Sequence, residues 1–116
     1  MYKEEILEHF KNPRNKGVIE KPSVRVSVKN ALCGDAITLT LAIRGDKIED
    51  IKFSGIGCAL VTASASLLTE HLKGKSVKIL NDINDTFVLK LLGGEITPAR
   101  IGCALLPLKA LKQIKK

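Results

Sequence analysis

Three cysteines stand in this chain, Cys33, Cys58 and Cys103, and each has a glycine beside it. Gly34 and then Asp35 follow Cys33, Gly57 precedes Cys58, and Gly102 precedes Cys103. A thiolate is both a nucleophile and a metal ligand. Soft sulfur donors select zinc, copper(I) and the iron of iron–sulfur clusters. Asp35, two residues beyond Cys33, adds a hard oxygen close enough to share a bound ion with it. The separations are 25 residues from Cys33 to Cys58 and 45 from Cys58 to Cys103. That is not the local C-x-x-C knuckle of a small zinc site, so the fold itself must bring these loops together. Cysteine also serves as a small buried hydrophobe. In that role it would lie on an apolar face inside an element, whereas glycine-flanked loops suit a ligating or reactive thiol.

The elements that must position these residues are read from periodicity. Ile6, Leu7 and Phe10 put an apolar face on a short helix over 2–10, which Asn12-Pro13-Arg14-Asn15-Lys16-Gly17 then breaks. Val24, Val26 and Val28 alternate with polar residues, as do Ile37, Leu39, Leu41 and Ile43, and both runs read as half-buried strands. Gly45-Asp46 is a hairpin turn into a third strand over 47–54 that carries Ile48, Ile51 and Phe53. From Ala59 the spacing changes to three and four. Ala59, Leu60, Ala63, Leu67, Leu68 and Leu72 predict a helix ending near Lys73-Gly74. A shorter helix is expected over 75–80. Asp82 or Asn84 caps the next, which runs through Phe87, Leu91 and Leu92 to Gly93-Gly94. The last helix is expected over 104–115, with Leu105, Leu108, Leu111 and Ile114 inward. Pro107 belongs in its first turn, which puts Cys103 at the helix start. Strands first and helices after predict an α+β domain over 1–116: a three-stranded antiparallel sheet with helices packed on one face.

Two of the three cysteines are thus expected at helix N-termini, Cys58 ahead of the helix at Ala59 and Cys103 ahead of the last one. Open amides and the helix dipole favour an anion there. Arg100 adds a positive charge near Cys103. The two histidines are weaker candidates. His9 reads as an ordinary, partly buried side chain that becomes a ligand only if the amino terminus folds over the site. His71 suits the carboxyl end of its helix. Glu70 reads as solvated.

Composition bounds the rest. The chain has 116 residues, 45% of them hydrophobic and only 3% aromatic, so one aliphatic core is expected. The formal charge of +7 suits an acidic partner or an anionic cargo. Nucleic-acid binding rests on that charge alone, because no aromatic platform and no binding motif accompanies it. There is no phosphate-binding glycine loop with lysine and no Ser-His-Asp set in a supporting context. No apolar run approaches a membrane span, and the first residues lack the apolar core of a signal peptide. The expected compartment is the reducing cytoplasm, where an odd number of thiols needs no disulfide partner.

Taken together, the motifs resemble a known family, the IscU/SufU/NifU N-terminal type of iron–sulfur cluster assembly scaffold. The amino-terminal run Tyr2, His9-Phe10 and Asn12-Pro13-Arg14-Asn15-Lys16-Gly17 is similar to that family's signature. So are Asn30-Ala31-Leu32-Cys33-Gly34-Asp35, with alanine where proline is usual, and Gly55-Ile56-Gly57-Cys58-Ala59 followed by Ala63-Ser64-Ala65-Ser66 and Glu70. Arg100-Ile101-Gly102-Cys103-Ala104-Leu105 with Lys109-Ala110-Leu111 resembles the third cysteine motif.

The resemblance implies the SufE/IscU-like fold and a scaffold on which a [2Fe-2S] cluster is built from iron and handed to apo iron–sulfur proteins. It implies sulfur delivered as a persulfide by a cysteine desulfurase. It maps the ligands to Cys33, Asp35, Cys58 and Cys103, with Cys103 the leading persulfide acceptor, and it allows Zn²⁺ at the same site. A homodimer or larger oligomer in the loaded state is compatible with it. Two departures matter. Gly102 stands where many IscU-type members carry histidine. Ile96-Thr97-Pro98-Ala99-Arg100 replaces the Leu-Pro-Pro-Val-Lys stretch of those members that a specialised chaperone binds, which counts against recognition by that chaperone. The context of Cys103 resembles the SufU branch, yet the 45-residue interval before it leaves no room for the SufU insertion. The second reading is therefore a zinc-binding sulfur acceptor that partners a desulfurase, with sulfurtransferase activity in place of a pure carrier role.

Overall fold

The structure is a computed structural model and describes residues 4–30, 34–93 and 96–114. Three strands, β1 (Val24–Asn30), β2 (Asp35–Arg44) and β3 (Lys47–Ile56), form an antiparallel sheet in sequence order. The register runs from Val24 opposite Leu41 to Asn30 opposite Asp35. Gly45-Asp46 makes the expected two-residue turn, with Gly45 at φ 64°, a conformation that favours glycine.

β3 carries a device that the alternation did not reveal. Ile48 and Ile51 are both fully buried, although three residues apart they should face opposite sides of a strand. The register shifts between Ala42 and Ile43: Ala42 pairs with Asp50 and Ile43 with Ile48, leaving Glu49 as an extra residue. That bulge restores both isoleucines to the core face.

Among the described residues five helices follow the expected α+β plan: α1 (Glu4–Lys11), α2 (Ala59–Leu72), α3 (Asp85–Leu91), α4 (Pro98–Ala104) and α5 (Leu106–Lys112), with a 3₁₀ turn at Val77–Asn81. The core joins Ile37, Leu39, Leu41, Ile51 and Phe53 of the sheet to α2 and α5. Among the described residues no helix is long and apolar enough to cross a membrane.

α2 is the hub. Its burial extends beyond the expected stripe to Val61, Ser64, Ala65, Ser66 and Thr69. The sheet, α1 and the carboxyl-terminal helices surround it, so its polar residues must find partners inside the protein. Ser64 Oγ donates to the Ala104 carbonyl at 2.7 Å. Ser66 Oγ accepts from the Arg14 amide at 2.8 Å and sits 2.6 Å from His9 Nδ1. Thr69 Oγ1 accepts from Asn15 Nδ2 at 3.2 Å.

These bonds tie the amino-terminal segment across α2 and on to the sheet. The Phe53 amide donates to Asn15 O and the Gly17 amide to Phe53 O, while Ile48 exchanges backbone bonds with Gly74 and Lys75. The outer edge of β3 is thereby covered near both ends.

Two helix expectations are corrected. In α1, Ile6 and His9 are the buried residues, while Leu7 and Phe10 stand exposed. Three- and four-residue spacing identified the helix, but the polar bond to Ser66 turned His9 inward in place of Phe10. The last helix, expected over 104–115, is α5 at Leu106–Lys112, and a separate helix, α4, precedes it and takes in Cys103, the two meeting at Leu105. Pro107 does lie in the first turn of α5, as its chemistry requires. Lacking an N–H, it cannot donate to the carbonyl four residues back, that of Cys103, and the chain breaks there. The earlier start at Pro98 had a legible signal, Thr97 at the N-cap with proline at the first helical position. Leu105, expected inward, is only partly buried. Asn84, one of the two expected caps, opens α3 by accepting from the Phe87 amide at 2.9 Å.

Candidate metal centre

Asp35 is the first residue of β2, Cys58 the N-cap of α2, and Cys103 lies in the last turn of α4. One donor atom from each falls within 4.8 Å of the others. A tetrahedral ion with sulfur at 2.3 Å has ligand edges of about 3.8 Å, so small side-chain movements would close the three on one centre. Asp35 and Cys103 are buried and Cys58 is partly buried. Cys33 falls on residues 31–33, outside the described residues, as does Tyr2.

Local chain geometry explains the convergence. Gly55 has φ 134°, and any Cβ there would run into the carbonyl of Ala36. At Gly57 a Cβ would approach Val61 Cγ1 to 2.7 Å. The two glycines let the chain leave β3 tight against Ala36 and turn at once into α2. That places Cys58 beside Asp35, the neighbour of Ala36. Gly34, at φ 73°, donates its amide to Asn30 O at 2.9 Å and starts β2 at Asp35.

The thiols stand in unlike settings. Cys58 has extended φ/ψ and its carbonyl accepts from the Thr62 amide, so its side chain lies at the amino end of a fourteen-residue helix, as expected. Cys103 does not. It ends α4 instead of starting the next helix, and the dipole argument for a stabilised thiolate fails for it. What holds it is burial of α4 against α2, through the bond from Ser64 to its neighbour Ala104. Arg100 is exposed in the middle of α4.

Asp35 carries the most telling feature. Its Oδ2 is buried and has no hydrogen-bond partner among the described residues. An orphaned carboxylate oxygen is disfavoured unless something else binds it. The same carboxylate lies in a group with the Cys58 and Cys103 sulfurs, a donor set suited to a metal or cluster.

The histidines do not join this group. His9 is 5% exposed and committed to Ser66. His71 is near the other end of α2, about 20 Å of helix from Cys58. Its ring meets that of Phe87 in a tilted contact with centroids 4.9 Å apart, and burial, with Lys75 nearby, lowers its pKa from the usual 6.5. Glu70 is exposed and meets Arg14 at 3.9 Å. Ser64 and Ser66 were the positioning residues that periodicity missed. A serine at an otherwise apolar helix position is the signal they left.

A family profile described as the NifU-like N-terminal domain matches residues 1–115. The chain belongs to this family. The NifU-like chain is 42% identical to the zinc-dependent sulfurtransferase SufU of Bacillus subtilis, over 97% of its own length and 88% of the relative's. That alignment spans 130 positions, more than the 116 residues here, so the relative carries residues with no counterpart in this chain. It is 37% identical to the iron–sulfur cluster assembly scaffold protein IscU 1 of Archaeoglobus fulgidus, over 97% of this chain and 73% of that one. Its fold matches a crystal structure of a proposed cluster assembly scaffold for the SUF system from Fervidobacterium islandicum. The TM-score is 0.82 at 30% identity, covering 96% of this NifU-like chain and 93% of the other.

Proposed function

We propose that this protein is a scaffold on which a [2Fe-2S] cluster is assembled and from which it is passed to apo iron–sulfur proteins, with residues 1–116 acting as one domain in the cytoplasm. The observation that carries the reading is the unpartnered, buried Asp35 Oδ2 grouped with the Cys58 and Cys103 sulfurs. Family membership and the IscU relatives support it. Cys33, Asp35, Cys58 and Cys103 are the proposed ligands.

A storage site would use four thiolates, which hold cluster iron firmly. A carrier must release its cargo. Three thiolates and one carboxylate leave a weak corner, because a hard oxygen suits cluster iron less well than sulfur does. Sulfur enters when a thiolate of this chain, Cys103 by our assignment, attacks the outer sulfur of a desulfurase persulfide. The sulfur–sulfur bond to the donor breaks and the donor leaves as its thiolate. Reduction of that sulfur to sulfide takes two electrons from a thiol or electron-carrier protein. In this reading Asp35 is the labile ligand, the one that yields its position when cargo leaves.

A second reading, a zinc-dependent sulfur acceptor, is favoured by the SufU relative and by three donors close enough for one ion. In that case Cys33, Asp35, Cys58 and Cys103 would hold the zinc, and one of the cysteines, freed as a thiolate, would take the outer sulfur of the desulfurase persulfide while the donor leaves as its thiolate.

Anaerobic incubation with ferrous iron, cysteine and a cysteine desulfurase separates the two. Visible colour with matching iron and acid-labile sulfide is the result expected for the scaffold. Tightly retained zinc, with persulfide on the chain and no cluster, would overturn it in favour of the acceptor.

A further inference from the structure

A groove of about 620 Å³ runs between the end of β1 and the helices α4 and α5. The partly buried Leu105, with the buried Leu106 and Leu108 beneath it, gives it apolar lining, and Lys109 and Lys112 stand along α5. Those lysines are three apart and so share a helix face. Lys29 and Asn30 form the strand side, and Asp85 is the one acidic group in the lining. Lys112 Nζ donates to the Leu80 carbonyl at 3.2 Å. Among the described residues none of the three lysines is in an ion pair.

Gly102 lies in the lining, next in sequence to Cys103. A Cβ there would make an ordinary contact of 3.6 Å with Asn30 Nδ2, so Gly102 and Asn30 bring the helix and strand sides of the groove together beside the buried Cys103. The groove therefore combines leucine side chains, a net positive charge and a position one residue from a proposed ligand.

We propose that this groove docks an acidic, leucine-bearing segment of a partner protein, and so brings the partner's reacting group to Cys103. The inference rests on the reading of the metal centre as a place where sulfur or cluster changes hands. Charge complementarity selects the occupant. Carboxylates meet Lys29, Lys109 and Lys112, and aliphatic side chains meet the leucines. Nucleic acid fits less well, because no aromatic side chain lines the groove for base stacking.

The probe is a short fluorescein-labelled peptide alternating leucine and glutamate pairs, compared with its leucine–lysine counterpart and with a labelled single-stranded oligonucleotide. Anisotropy is read at low and physiological salt, and amide chemical shifts locate the contact. The acidic peptide should bind alone of the three, more weakly as salt rises. It should shift Gly102, Leu105 and Lys109. Lys109→Glu should weaken binding about 10-fold, and Lys29→Glu should act in the same direction. The equal charge change Lys21→Glu should leave binding unaltered. Zinc titration of Lys109→Glu should match the wild type. Equal binding of the lysine peptide, preference for the oligonucleotide, shifts confined to other surfaces, or unchanged affinity in both groove variants would overturn the proposal. Failure of the wild type to take up zinc or iron would instead count against the metal centre, whatever the peptide does.

Discussion

Asp35 sits buried at the start of β2 with one carboxylate oxygen unpartnered, so at this residue stability and function oppose each other. Asp35→Ala should stabilise the metal-free protein by about 1–3 kcal/mol, the usual penalty of an unsatisfied buried polar group, as read by urea unfolding. The same change should lengthen the life of an assembled cluster, because the labile oxygen corner is lost; decay of visible absorption under anaerobic conditions measures it. A metal-free variant less stable than wild type would show that the carboxylate is already satisfied. Gly55 has the opposite character, since its role is steric. Gly55→Ala places a methyl group against the Ala36 carbonyl at a φ of 134°. We expect a loss of about 2–3 kcal/mol in the same unfolding experiment. Metal affinity should fall with it, because Cys58 is carried on the same turn. Both residues stand out in the sequence as neighbours of cysteines. That a Cβ at Gly55 would strike Ala36 depends on strand pairing and could not be read there.

At the scale of elements, α2 holds the centre together through side chains that a hydrophobic pattern overlooks. Ser66 bonds to His9 of α1 and to the Arg14 amide, and it is fully buried. Ser66→Ala leaves both groups without that partner. It should reduce stability by about 1–3 kcal/mol, with hydrogen exchange in α1 rising before global unfolding. Uniform exchange across α1 and α2 would show that the bolt is not local. The helices themselves were legible where caps and periodicity agree, as in α2 and at Asn84. The division between α4 and α5 was not anticipated, although Thr97-Pro98 and Pro107 announce it. Pro107 fixed the start of the last helix, and the short helix from Pro98 ahead of it is the element that was not read. This shift moved Cys103 from the start of one helix to the end of another, and with it the electrostatic argument for its thiolate.

At the scale of the whole molecule, stability should fall under mild acid partly through His71. Its pKa is lower in the fold than the usual 6.5, first because of burial and then because of Lys75. The unfolded chain therefore binds the proton more readily. The contribution is complete above pH 6.5 and is lost as pH falls toward the folded value. In melts between pH 7.5 and 5, His71→Gln should show a smaller drop in Tm than wild type; an equal or larger drop would remove His71 as the cause. The sequence by itself determined the strands, the Gly45-Asp46 turn, the helix after Cys58 and the four residues worth watching. Alternation, turn chemistry and glycine flanks are local signals, written within a few residues of the element they describe. Only the tertiary structure decided that Asp35, Cys58 and Cys103 share one small volume, that Asp35 is left with an unpartnered oxygen, and that His9 turns to Ser66 instead of to the centre. Those outcomes depend on which surfaces pack together across tens of residues, where a bulge at Glu49 or a proline at 107 redirects whole elements without changing any local pattern nearby.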